Sequence, residues 1–318
     1  MACVVELEDV RRAAERIRGH VHLTPVLTSR SLDELAGCEL YFKAENLQRV
    51  GAFKARGACN AVLALSPEQA ARGVTTHSSG NHAAALALAA RLRGVPATIV
   101  MPENAPPNKR AAVLRLGASV IPCAPTLAAR VEACDRVVAQ TGATLVHPSE
   151  DPAVIAGQGT IALELLEQVP GLEAILAPVG GGGLISGLST GALARPGLRV
   201  LGAEPAGADD AYRSKRDGVL YPQPDPRTIA DGLRTALGPN TWPVVRDRVE
   251  GILRVEDEEI VRAMRLCFER LKQVVEPSGA VGLAAALSGE LARLGLRRVA
   301  VVISGGNADL DHLPWRSP

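Results

Sequence analysis

Lysine is scarce in this chain: only five of its 35 basic residues are lysines, at positions 43, 54, 109, 215 and 272. Lys54 stands in Gly51-Ala52-Phe53-Lys54-Ala55-Arg56-Gly57, between two glycines. The apolar Leu40-Tyr41-Phe42 precede it, and a helix-like run from Ala58 to Leu65 follows. Arginine serves wherever positive charge alone is wanted. A primary amine can also condense with an aldehyde, and its pKa falls on burial. The stretch by itself describes a surface lysine at a helix start better, so the rest of the chain decides.

Gly180-Gly181-Gly182-Gly183 lies between an apolar strand-like run and a helix-like one, ending Leu184-Ile185-Ser186-Gly187. Glycines at such a junction let the backbone wrap an anion, whose charge then meets the helix N-terminus. The spacing fits phosphate but is not the dinucleotide fingerprint, because counting from Gly181 the third glycine comes one residue late, at Gly187. No Gly-Lys-Ser/Thr follows, so it is not a P-loop either. Glu204 nevertheless falls about where a ribose-binding acid would, which keeps a nicotinamide-dependent oxidoreductase as a competing reading.

Three further clusters carry candidate chemistry. Ser78-Ser79-Gly80-Asn81-His82 gathers two hydroxyls, an amide and helix N-terminal N–H groups at one turn, a receptor for a carboxylate or ring hydroxyl, or an ordinary helix cap. Ser304-Gly305-Gly306-Asn307 ends an apolar run and reads as a ligand-binding strand end or a tight turn. Glu204, Asp209 and Asp210 place three carboxylates within seven residues, oxygen ligands that suit Mg2+ or Ca2+ if the loop is not simply solvated.

The elements that must position these groups alternate. Apolar residues at 7, 10, 14 and 17 predict an amphipathic helix over 7–18. Strands are expected at 40–43, 74–77, 97–101, 119–123, 144–147, 174–179, 199–203 and 298–303. Helices are expected at 31–35, 58–65, 83–93, 107–116, 126–140, 159–168, 184–194, 257–273 and 280–292. This is the α/β pattern of parallel sheets with helices on their faces. Residues 72–147 read as one inserted small α/β domain, with 1–71 and 148–318 forming a larger one. The Pro-rich stretch 205–239 reads as an irregular, function-bearing loop.

Composition narrows the partner. A net charge of +1 and an aromatic content of 3% argue against a nucleic-acid or membrane-surface footprint, leaving a small molecule. The six cysteines show no C-x-x-C pair and no histidine cluster, so buried free thiols in a reducing compartment are expected. Acids near the N-terminus and the lack of a long apolar run predict neither signal peptide nor membrane span, hence a cytoplasmic protein.

The order of Gly51 to Gly57, Ser78 to His82, Gly180 to Gly183 and Ser304 to Asn307 resembles the fold-type II pyridoxal-phosphate enzymes of the serine/threonine dehydratase group. Within that group the chain resembles the serine racemases over nearly its whole length. Leu23 to Thr28, Pro152 to Ala162, Ala203-Glu204-Pro205 with Ala208-Asp209-Asp210, Thr228 to Gly232 and Asn240 to Pro243 add to the likeness. The resemblance implies a tryptophan synthase β-like fold: two open twisted sheets with helices on both faces. It also implies a homodimer.

Carried onto this sequence, the resemblance makes Lys54 the Schiff-base lysine with Phe53 beside it. Asn81 then meets the cofactor ring hydroxyl, Gly180, Gly181, Gly182 and Gly183 hold its phosphate, and Ser304 faces its pyridine nitrogen. Ser78, Ser79, Asn81, His82, Arg130 and Thr235 would surround an amino-acid substrate. Glu204, the Ala208 carbonyl and Asp210 match a divalent-cation site for Mg2+ or Ca2+, with Mn2+ a third candidate. Lys54 and Ser79 would act as opposed bases in interconverting L- and D-serine, alongside β-elimination to pyruvate and ammonia. The alternatives are a serine, threonine or 3-hydroxyaspartate dehydratase with little racemisation, since 3-hydroxyaspartate dehydratases share Ser79, or a catalytically weak pyridoxal-phosphate-binding protein. Ala83-Ala84 stands where the racemases have Gly-Gln, which leaves ATP open as an effector. Thr235 replaces a serine, and Ser149-Glu150-Asp151 replaces Asn-Gln-Glu.

Overall fold

The computed structural model describes residues 4–315. Met1 to Cys3, and with them the first of the six cysteines, lie outside the described residues. The other five, at 38, 59, 123, 134 and 267, are buried and free, as expected of a reduced core.

Two sheets organise the chain. The larger has six strands: β1 (Val26–Leu27), β2 (Glu39–Ala44), β7 (Ala174–Pro178), β8 (Arg199–Pro205), β9 (Gly251–Val255) and β10 (Arg298–Ile303). Their order is β1-β2-β10-β7-β8-β9, parallel except for β1, which pairs antiparallel with β2. The smaller sheet holds β3 (Val74–His77), β4 (Ala97–Pro102), β5 (Ser119–Cys123) and β6 (Thr144–Leu145) in the order β5-β4-β3-β6, all parallel. Central strands buried on both faces read as short apolar runs rather than alternating ones, and β7 is buried at all five residues.

Packing between the sheets depends on small residues. The Lys54–Ala64 helix crosses the Pro152–Gln168 helix where Gly57 meets Gly157: a Cβ on Gly157 would sit 2.6 Å from the Gly57 Cα. Only glycine permits that approach. The helix that begins at Lys54 is therefore seated against the core by backbone contact, and its N-terminus is fixed in space. Beside the smaller sheet, the alanines of the Asn81–Arg93 helix fill the core with Ile99, Met101 and Val146.

Differences from the sequence reading have local causes. The Pro152–Gln168 helix starts seven residues earlier than expected, with Pro152 at its first turn and Asp151 capping the N–H groups of Ala153 and Val154. The expected 257–273 helix stops at Leu266, continues as one wide turn to Leu271, and ends at left-handed Lys272. Helices Asp210–Asp217 and Trp242–Arg248 occupy regions read as irregular or left unassigned, and edge strands β1 and β9 were not anticipated.

Candidate active site

The functional candidates converge on the carboxyl ends of the parallel strands, where open α/β sheets bind ligands. Ser78 follows β3, His147 lies just past β6, Gly180 follows β7 and Ser304 follows β10. Lys54 comes instead from the first turn of a helix.

The chain reaches Lys54 through a constrained turn. Val50 is left-handed at φ 55°, a costly conformation for a β-branched residue, and Gly51 follows at φ 70°. Asn307 holds it: its Nδ2 donates to the Val50 carbonyl at 2.8 Å, while Gly306 N–H donates to the Gly51 carbonyl at 2.9 Å. Phe53 N–H donates to the Ser304 carbonyl at 3.0 Å, so the end of β10 and the lysine turn form one unit.

The Lys54 Nζ donates to the Pro148 carbonyl at 2.8 Å and lies 5.0 Å from the centre of the Phe53 ring. Burial lowers its pKa from 10.5 to about 8. Around it stand three histidines kept neutral by burial. His82 is pushed down to about 3, helped by the charge of Lys54, and His147 to about 4, with His77 and Lys54 adding to the effect. His77 is lowered too, by burial and then by the Arg130 charge.

Four glycines make the cradle after β7, and side chains could not replace them. A Cβ on Gly181 would lie 2.5 Å from Ser149 Oγ, and one on Gly182 would lie 2.6 Å from Leu237 Cδ2. Gly182 is left-handed at φ 80°. The Gly183–Ala192 helix then starts with its free N–H groups at the cradle.

Asn81 is fixed from both sides. Its Nδ2 donates to Glu276 Oε1 at 2.7 Å, and its Oδ1 accepts from Asn307 Nδ2 at 2.8 Å. Ser304 is buried, its Oγ 3.5 Å from the Ser278 carbonyl. Ser78 and Ser79 line the turn, with Ser78 Oγ accepting from Gly80 N–H at 3.3 Å. Thr235 is exposed beside Gly181. His82, expected near the substrate, is instead buried at 2% exposure with Nε2 on the Val146 carbonyl at 3.0 Å, leaving Nδ1 without a partner. Arg130 rests on its own helix, Nε to the Thr126 carbonyl at 3.4 Å.

Glu204 and Asp210 form a separate buried centre. Glu204 accepts from Ala211 and Tyr212 N–H at 3.2 and 2.7 Å, and Asp210 Oδ2 accepts from Leu237 N–H at 2.9 Å. Burial and the neighbouring Asp210 raise Glu204 well above the usual range, and burial raises Asp210 to about 6. Asp210 Oδ1 is buried with no partner. Among the described residues no three His, Cys, Asp or Glu side chains converge for a metal. A cation here would rest on two carboxylates and the Ala208 carbonyl. A bare buried oxygen beside a second reluctant carboxylate fits such an ion.

Sequence reasoning missed Glu276, His77 and His147. Glu276 opens the Pro277–Ala286 helix, which is buried from Ser278 onward, and an acid at the mouth of an apolar run was the available signal. The two histidines sit at or just past the carboxyl ends of β3 and β6, where the strand-edge rule points.

A parallel-stranded cleft that holds a half-buried lysine amine and a glycine cradle defines the fold-type II class of pyridoxal-phosphate enzymes. The chain belongs to the pyridoxal-phosphate dependent enzyme family, whose model matches residues 17–305. It is 51% identical to a serine racemase of Arabidopsis thaliana over 98% of this chain and 96% of that one. It is also 51% identical to a beta-hydroxyaspartate dehydratase of Paracoccus denitrificans, over 97% of this chain and 98% of the other. The solved structure of maize serine racemase superposes with a TM-score of 0.95 at 49% identity, covering 97% of this chain and 95% of that one.

Proposed function

We propose that this protein is a serine racemase: it interconverts L- and D-serine and, in a side reaction, eliminates the serine β-hydroxyl to give pyruvate and ammonia. The observation that carries the reading is identity of about half, over nearly the full length of both chains, to a plant serine racemase. The residues suit the cofactor: a lysine amine with a pKa near 8, and a cradle that a Cβ at Gly181 or Gly182 would fill.

When bound, pyridoxal phosphate supplies the electron sink that makes the substrate Cα–H acidic. Lys54 would hold it through Nζ, and the backbone of Gly180 to Gly183 would take its phosphate. Asn81 would meet its ring hydroxyl with an amide already oriented by Glu276 and Asn307. Ser304 offers the pyridine nitrogen a neutral hydroxyl rather than a counter-charge. Released as a free amine, Lys54 takes the Cα proton from one face; near neutral pH its lowered pKa leaves a useful fraction unprotonated. Ser79 gives a proton back from the opposite face, which inverts the centre. Ser78, Thr235 and Arg130 receive the substrate carboxylate and hydroxyl, with His82 contributing through its place in the first turn of the Asn81–Arg93 helix rather than as a cation.

A divalent cation, Mg2+ or Ca2+, would sit on Glu204, Asp210 and the Ala208 carbonyl, neutralising two carboxylates that burial otherwise penalises. We read the protein as a cytoplasmic homodimer; no helix among the described residues is long and apolar enough to cross a membrane. ATP stays outside this reading, because Ala83-Ala84 offers a nucleotide no amide side chain. The match to the Paracoccus protein favours a second reading, a dehydratase of 3-hydroxyaspartate or another hydroxy amino acid with little racemisation.

The test is direct. The purified protein should absorb in the visible violet, and borohydride should abolish the band while leaving Lys54 modified; absence of the band sinks both readings. Chiral analysis of the amino acid recovered from L-serine, with pyruvate measured alongside, separates racemase from dehydratase. Lys54→Ala should abolish both activities and Ser79→Ala should abolish racemisation. Full racemisation by Ser79→Ala would refute the two-base scheme.

A further inference from the structure

Lys54 must act as a free amine for part of any cycle it serves, and the structure contains a built place for that amine. His147 Nδ1 accepts two backbone N–H groups of the turn that follows it, Glu150 at 3.0 Å and Ser149 at 3.3 Å. A nitrogen that accepts two donors carries no proton, so the ring is neutral with its hydrogen on Nε2. The turn is thereby pinned at its second and third residues past His147. The residue between, Pro148, has no N–H of its own and a fixed φ, and its carbonyl lies 2.8 Å from Lys54 Nζ.

We propose that His147 is a positioning residue: by pinning this turn it makes the Pro148 carbonyl the dock for the Lys54 amine whenever that amine is not covalently engaged. The idea rests on the reading of Lys54 given above. An amine that donates one N–H to a fixed carbonyl has its torsion set and its lone pair directed away from that carbonyl. Proton uptake from a substrate Cα then occurs from a defined direction, Nζ passing from NH2 to NH3+, and the same carbonyl holds the ammonium that forms. The surroundings of His147 favour the neutral ring. His77 at the end of β3 meets it edge-on at 5.7 Å between ring centres, and the charges of His77 and Lys54 both oppose protonation of the ring. Glu150 does not face the ring as a counter-ion: its carboxylate accepts from Asn240 N–H at 2.7 Å and Thr241 Oγ at 2.8 Å.

Two substitutions test this. In His147→Asn the Oδ1 takes the position of Nδ1 and can accept the same two N–H groups, whereas His147→Leu offers no acceptor. The first readout needs no turnover: in the full chain freed of cofactor, the pH dependence of Lys54 acetylation, mapped by mass, reports the titration of the amine. The second is exchange of the substrate Cα hydrogen with solvent deuterium by the holoenzyme. A lost hydrogen bond to a charged group corresponds to about tenfold to a hundredfold. The Leu variant should therefore shift the Lys54 titration down by about one unit and lower kcat for exchange by about tenfold or more, with KM little changed. The Asn variant should restore both. A Leu variant that behaves as wild type, or an Asn variant no better than Leu, overturns the proposal. If the Leu variant does not fold, nitrogen NMR of wild-type His147 decides alone: an Nδ1–H tautomer overturns it and an Nε2–H tautomer supports it. Each of these failures leaves the violet band of the wild type intact, so they are distinct from a failure of the functional reading.

Discussion

Two residues beyond Lys54 the same helix carries Arg56, fully buried at the centre of a charged cluster. Its guanidinium grips Glu45 through Nε and Nη2, both at 2.8 Å, and Glu164 through Nη1 at 2.6 Å and Nη2 at 2.8 Å. Lys43, also fully buried, closes the cluster on Glu164 at 2.6 Å and donates to the Thr24 carbonyl at 2.8 Å. Two cations face two anions, so the cluster is neutral. Arg56→Met leaves Glu45 buried with Thr24 and the distant Lys43 charge, a loss that costs about 3–5 kcal/mol in comparable buried pairs. In a chain of this size that lowers the thermal midpoint by about 5–8 °C. Adding Glu45→Leu removes the stranded carboxylate and should recover most of the loss, since Lys43 still pairs Glu164.

The pH dependence follows with its sign. Burial alone would raise the Glu45 pKa, but the Arg56 guanidinium and the Thr24 hydroxyl outweigh it and hold the carboxyl below its ordinary 4.5. Such a group contributes stability that is present above 4.5 and lost as pH falls through its lower folded value. The wild-type midpoint should therefore drop in acid more steeply than that of the double variant. Circular dichroism melts at saturating cofactor, from neutral pH to about pH 3.5, give both answers. A single variant within about 2 °C of wild type, or a double variant no more stable than the single, would refute the reasoning.

Two other predictions come from groups that burial leaves uncomfortable. Glu276 is raised to about 7 by burial and then by Asp231, so its stabilising share is complete in acid and lost as pH rises through 7. Glu276→Gln should gain on wild type by up to about 3 kcal/mol between pH 5 and pH 8, read as midpoint against pH, and parallel curves would refute it. Asp210→Asn should abolish the rise in midpoint that Mg2+ or Ca2+ gives the wild type; a variant that still responds to cation and to EDTA puts the ion elsewhere.

The sequence was most legible where local pattern and global role agree. Strands 74–77, 119–123 and 298–303 fall at the expected residues because short β-branched runs between turns have little else to become. The glycine run after β7 was readable because four glycines at a strand–helix junction are hard to explain without a close approach. What stayed hidden depends on contacts distant in sequence. Nothing near Glu276 reveals that it grips Asn81, 195 positions away, and nothing near Asp231 shows that Lys109 reaches it at 2.9 Å from a helix beside the other sheet. The start of the Pro152–Gln168 helix was missed because Pro152 reads as a breaker until Asp151 is seen capping the turn.

The arrangement around Lys54 sorts charge by depth. On the side toward the core, Arg56, Lys43, Glu45 and Glu164 form a cluster in which burial is offset by mutual pairing, and Arg56 is held protonated more firmly than a free guanidinium. On the other side no carboxylate offsets burial: Lys54 is lowered to about 8 and His82 and His147 to about 3 and 4. Both sides share one short helix, so a residue meant to lose its proton is anchored by one that cannot. Reversing either half would defeat the site. A carboxylate beside Lys54 would raise its pKa and keep the amine protonated, and a neutral residue at 56 with Glu45 left in place would strand a buried carboxylate beneath the helix that carries it.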